Sequence, residues 1–171
     1  MKATFIIILI TFFATTILYS PSSAGPIIDS GNDALKKGDY QTAIAMYSVN
    51  IDLKPDDPEG YIRRGVVFVT LGQYNYAVTD FTKAISLDQN NSVAYNNRAV
   101  ALIGLGRYQT AYSDASQAVR SDPRNAESHY TRAVAGYLCN NKELIWFDLV
   151  ESQRLGFAPA TKMLDQYNRE R

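Results

Sequence analysis

Residues 95–119 read YNNRAVALIGLGRYQTAYSDASQAV, and residues 61–85 read YIRRGVVFVTLGQYNYAVTDFTKAI. Both start on tyrosine. Both then place arginine fourth, a small residue fifth, glycine twelfth, a second tyrosine fourteenth and alanine seventeenth. The offset is 34 residues, and it extends beyond these two stretches. Gly38, Gly72, Gly106 and Asn140 share one column; Tyr40, Tyr74 and Tyr108 share another. Ala43, Ala77 and Ala111 form a third, and Gly31, Gly65, Ala99 and Ala133 a fourth, with no insertion anywhere. A fixed period of this length is the signature of stacked supersecondary units, none of which buries its apolar face alone.

Local chemistry predicts two helices per unit. Asp57-Pro58 is a helix start, a capping acid followed by proline at the first helical position. Asn91-Ser92 and Asn125-Ala126 put capping side chains at the equivalent points. Gly72 and Gly106 end the first helix, because the turn there needs positive φ; Asn140 is the next best residue for it. In the second helix Ala77, Phe81, Ala84 and Ile85 fall on one stripe. Gly65 and Ala77 are small enough to let the two helices of a unit touch, and Ala84 lets the next unit dock. Tyr61, Phe68, Tyr74 and Phe81 fill the space that remains.

These units resemble tetratricopeptide (TPR) repeats, on the strength of Tyr61, Gly65, Phe68, Gly72, Tyr74, Ala77, Phe81 and Ala84 with their echoes 34 residues on. Pro55 and Pro123 match the proline that closes a unit, with Gln89 between them. The resemblance implies an all-α, right-handed solenoid of four helix pairs at about residues 24–57, 58–91, 92–125 and 126–157, a TPR array over 25–157. Residues 158–171 are read as a capping helix with Met163, Leu164 and Tyr167 on one face, since a repeat array needs its last apolar surface shielded. The fourth unit departs from the pattern. Ile145 stands in the alanine column and Lys142 in the tyrosine column, so its second helix is expected to cross differently.

The chain has 171 residues, 17 basic and 17 acidic, a balance that offers no field for nucleic acid or anionic lipid. Its first 24 residues carry one charge, Lys2. Phe5 to Leu18 is an apolar run, and Pro21 and Ser22-Ser23-Ala24 follow it. This reads as a signal peptide over residues 1–24, with a retained N-terminal anchor as the alternative. Either reading predicts export, to a periplasm or beyond the cell. Cys139 is the only cysteine, so no intrachain disulfide forms. Asn90-Asn91-Ser92 fits a glycosylation acceptor, relevant only in a eukaryotic secretory pathway.

Arg64, Arg98 and Arg132 occupy one column and Asp80, Asp114 and Asp148 another, always sixteen residues later. The first unit has Ser30 and Met46 there and lacks both charges. Charges that appear and vanish together predict ion pairs, within a unit rather than between units, that offset partial burial of the arginine. An anion-binding role is the rival reading of the same arginines.

A search for chemistry returns little. His129 and Cys139 are ten residues apart, off any common helix face, and no third group orients them. No cluster suits a metal, Asp56, Asp57 and Glu59 match no calcium loop, and Gly104-x-Gly106 lacks the rest of a dinucleotide fingerprint. The chain is read as no enzyme, with no cofactor, no metal and no small-molecule substrate.

What the resemblance implies instead is binding. In that family the first helices line a concave groove for a peptide or a partner's helix. Here the groove would present Asn32 in the first unit and Ile62, Arg63, Val66 and Val69 in the second. Asn96, Asn97 and Val100 follow in the third, and Tyr130 and Val134 in the fourth. Asparagine both donates and accepts, which suits a peptide main chain. The basic residues with which some family members grip a C-terminal carboxylate are mostly missing. An apolar segment or amphipathic helix is therefore the expected partner. Homo-oligomerisation through the same surface is the alternative.

Overall fold

The computed structural model describes residues 25–170. The leader or anchor read over residues 1–24 lies outside the described residues. Among those described, nine α-helices and no strands are found. They are α1 (Pro26–Lys36), α2 (Tyr40–Leu53), α3 (Pro58–Thr70), α4 (Tyr74–Leu87), α5 (Ser92–Gly104), α6 (Tyr108–Ser121), α7 (Ala126–Leu138), α8 (Ile145–Arg154) and α9 (Ala158–Glu170). Consecutive helices pack on one another throughout. The first helices α3, α5 and α7 also pack side by side, forming an inner layer.

The caps explain where each helix starts. Oδ1 of Asp57, Asn91 and Asn125 accepts from the backbone N–H of Glu59, Ala94 and Ser128 respectively, at 2.9–3.0 Å. The bends between paired helices are equally regular. Gly38, Gly72 and Gly106 have φ of 75°, 70° and 73°, and Asn140 has 60°. In this left-handed region a Cβ costs energy that glycine avoids and asparagine tolerates.

Packing within each unit turns on a size exchange between facing helices. A Cβ on Gly65 would lie 2.7 Å from the Phe81 ring, and one on Gly31 2.5 Å from the Tyr47 ring. What glycine admits is thus an aromatic ring of the facing helix. In the third unit the same two positions are Ala99 and Ala115, both fully buried, and the bulk is shared. Gly104 serves the junction between units: its missing Cβ makes room for the Tyr74 ring, 2.6 Å away. The buried side chains form a small cluster around Ile28, Tyr47 and Val67 and a large one from Ile62 to Leu164.

The fourth unit differs as its sequence does. Helix α8 begins at Ile145, three residues later than the Tyr108 register of α6 would place it. Ile145 is buried, 1% exposed, in the column where Ala43, Ala77 and Ala111 stand in the other units. The preceding chain folds onto Gly136, where a Cβ would sit 2.9 Å from the Asn141 carbonyl. Helix α9 packs on α8 and buries Ala160, Met163 and Leu164 in the main cluster.

Candidate protein-binding face

The repeating arginine is a rivet. Arg64 donates from Nε and Nη2 to Asp80 at 2.8 Å each, and from Nη1 to Ser48 at 2.9 Å. Arg98 repeats this with Asp114 at 2.7 and 2.9 Å and Thr82 at 3.1 Å. Arg132 forks onto Asp148 at 2.8 and 2.6 Å. All three pairs lie within a unit. The hydroxyls belong to the preceding unit, so the first two arginines tie three helices together. Ser48, Thr82 and Ser116 recur at the same 34-residue spacing, a signal the sequence carried unread. The third member, Ser116, instead donates to the Tyr112 carbonyl at 2.8 Å. With Nε and Nη2 of each guanidinium held by its aspartate, these arginines serve as structural pairs rather than as an anion site.

The inner layer carries the residues assigned to a groove, and the structure corrects their setting. Ile62, Val66, Val69, Val100, Tyr130 and Val134 are 0–5% exposed, inside the large cluster rather than open to solvent. Their apolar character, which suggested a lining, equally favours burial. Two polar groups at the first-unit end are also committed. Arg63, 6% exposed, donates from Nε to Glu59 at 2.6 Å and from Nη1 to Asn32 Oδ1 at 3.3 Å. The same Oδ1 accepts from the Tyr47 hydroxyl at 2.8 Å. Burial pushes the Tyr47 hydroxyl up to about 12, against the pull of Arg63. Asn32 and Arg63 therefore act as an internal tie between units; its other members are Tyr47, which shares the repeat column of Phe81, and Glu59.

The third and fourth units contrast with this. Asn96 and Asn97 on α5 and Thr131 on α7 are at most 2% exposed. Asn96 Oδ1, Thr131 Oγ1, and both Oδ1 and Nδ2 of Asn97 make no hydrogen bond. A buried polar atom without a partner costs about 1–3 kcal/mol. Val93, one turn before Asn97, remains 42% exposed.

Elsewhere, the described residues hold no group of three or more His, Cys, Asp or Glu side chains arranged for a metal. Cys139 lies part-buried with its thiol toward the Gly136 carbonyl at 3.6 Å. No helix among the described residues is long and apolar enough to cross a membrane.

Comparison with known proteins agrees with this architecture. Tetratricopeptide-repeat family models match residues 58–91 and 81–112. No curated protein matches the sequence. Among solved structures, the TPR domain of Arabidopsis OM64 is 28% identical, with a TM-score of 0.61 over 64% of this chain and 90% of that one. The second TPR domain of human RPAP3, solved with the HSP70 peptide SGPTIEEVD, is 27% identical, with a TM-score of 0.61 over 64% and 91%. TTC0263 of Thermus thermophilus, a thermophilic TPR protein, shares the fold at 20% identity, with a TM-score of 0.69 over 78% and 74%.

Proposed function

We propose that this chain, which carries tetratricopeptide repeats, is a non-catalytic adaptor that binds a protein segment on the inner face of α3, α5 and α7. The observation that carries this is Asn97. Its amide is 1% exposed with neither polar atom bonded, a penalty that would be removed if the inner face opened far enough for a peptide backbone to accept from Nδ2 and donate to Oδ1. Thr131 and Asn96 supply further unpaired oxygens on the same layer.

The partner's chemistry follows from what surrounds that row. The human RPAP3 domain takes an acidic-ended HSP70 peptide. Here the basic residue on the face, Arg63, is already neutralised by Glu59. The side chain left open beside the asparagine row is apolar, Val93 at 42% exposed. An apolar segment or amphipathic helix suits this face better than an acidic tail. The charge-poor residues 1–24, read as a leader or anchor, are the support for export of this adaptor.

A photo-crosslinker at Val93 of the full chain tests this in producing cells. The expected result is a crosslink to a different protein that Asn97→Leu abolishes. A crosslink to a second copy alone, with assembly seen by light scattering, would transfer the surface to self-association. No crosslink at all would remove the reading.

A further inference from the structure

The chain contains one histidine, and the fold encloses it. His129 sits in the first turn of α7, 4% exposed. Both ring nitrogens meet oxygen acceptors. Nδ1 lies 3.0 Å from Asp148 Oδ1 on α8, and Nε2 lies 3.0 Å from the Pro123 carbonyl in the turn after α6. A carbonyl and a carboxylate only accept. A neutral imidazole has one N–H and satisfies one of them; an imidazolium satisfies both.

The repeat supplies an internal comparison. The equivalent residue of the second unit is Tyr61, whose hydroxyl donates to the Pro55 carbonyl at 3.3 Å. The contact from the first helix back to the closing proline is thus made twice. In the second unit the donor is a phenol hydroxyl. In the fourth it is a group that titrates near neutrality. The fourth unit is also where Asp148 serves two donors, Arg132 and His129, while Asp80 and Asp114 serve an arginine each.

We propose that His129 is a pH-sensitive lock: as imidazolium it clamps α7 to α8 and to the turn leaving the third unit, and on losing a proton it releases one of the two. The lone pair then exposed on the ring faces an oxygen, a repulsive contact in place of a hydrogen bond. Where the bond to the Asp148 carboxylate is the one kept, the released contact is that to Pro123, in the turn that joins the third unit to the fourth. The charges around the ring are consistent with this state. Asp148 and Glu151 come from α8 and favour the proton; Arg132 on α7 opposes it. From α6, Tyr112 stands near the Arg132–Asp148 pair. Helix α5 has Arg98 as its charged residue, held by Asp114. Burial pulls the imidazole pKa down, but the bonds to Asp148 and Pro123 and the Asp148 charge outweigh it, leaving it above 6.5.

The sign follows. A folded-state pKa above the unfolded one gives stability that is complete below the unfolded value and fades as pH rises through the folded value. Proton NMR of the untagged chain reads this directly, because a single histidine C2–H signal is present. The expected midpoint lies above 6.5. Hydrogen-exchange protection over residues 122–154, followed from about pH 5 to about pH 9, should fall through the same midpoint. His129→Tyr should make protection independent of pH, and His129→Gln should hold it at the alkaline level throughout. A midpoint at or below 6.5 overturns the proposal whatever the variants do. So does a fall in protection that His129→Tyr leaves unchanged.

Discussion

Gly60 and Asn50 offer a test of how neighbouring units share space. At the boundary between the first two units, a Cβ on Gly60 would lie 2.6 Å from Asn50 Oδ1 and 2.9 Å from Ile51 Cγ1. Asn50 is 4% exposed, and that Oδ1 has no hydrogen-bond partner. At the next boundary the same positions are Ala84 and Ala94, both fully buried. At the third they are Ala118 and Ser128, also fully buried. Bulk thus moves across the junction while each site stays filled. Gly60→Ala alone should meet an overpacking penalty of about 1–3 kcal/mol, offset by up to about 1 kcal/mol of gained helix propensity. Asn50→Ala alone removes an unpaired buried oxygen and opens a small void, two effects of opposite sign. Together the two changes recreate the alanine–alanine boundary already present one unit along. The double variant should therefore exceed the sum of the singles by about 1–2 kcal/mol, well above the roughly 0.5 kcal/mol within which independent sites add. Urea unfolding followed by circular dichroism, comparing midpoints at constant slope, measures the coupling. Additivity would refute the size-exchange argument for these junctions.

Asp114→Ala leaves the Arg98 guanidinium part-buried with Thr82 alone, and should lower stability by about 3 kcal/mol in the same assay. Arg154→Ala, breaking an exposed pair with Glu151 in the last turn of α8, should change almost nothing measurable. Asn97→Leu removes two unpaired buried polar atoms, so it should raise the thermal midpoint while losing partner capture. Asn140→Gly relieves a non-glycine residue at φ 60° and should stabilise by about 0.5–1 kcal/mol; Gly72→Ala at φ 70° should cost about 1–2 kcal/mol by the same steric argument, both by thermal melting.

The all-α repeat was legible because each of its causes is local and recurs. A cap needs Asp or Asn beside the first turn, as at Asp57, Asn91 and Asn125. A left-handed bend needs Gly or Asn, as at Gly72, Gly106 and Asn140. Periodicity then multiplied every weak signal by the number of units. The Arg–Asp columns were readable for the same reason, since covariation across units within one chain stands in for spatial contact. The delayed start of α8 was foreshadowed by Ile145, but the three-residue displacement depends on how Asn141 folds against Gly136.

The candidate face divided along a different line. The sequence placed Asn32, Arg63, Asn96 and Asn97 on first helices, and four asparagine or arginine side chains looked alike. Only packing separated them. Arg63 and Asn32 found Glu59 and Tyr47 within hydrogen-bond reach, while Asn97 found nothing. His129 carried no sequence signal beyond its rarity and its place in the Tyr61 column; Asp148 flanks it only once α7 lies against α8. Sequence alone determines helix ends and repeat spacing, because backbone chemistry within a few residues decides them. Tertiary structure alone decides which buried polar atoms are satisfied, because that depends on side chains brought together from helices distant along the chain.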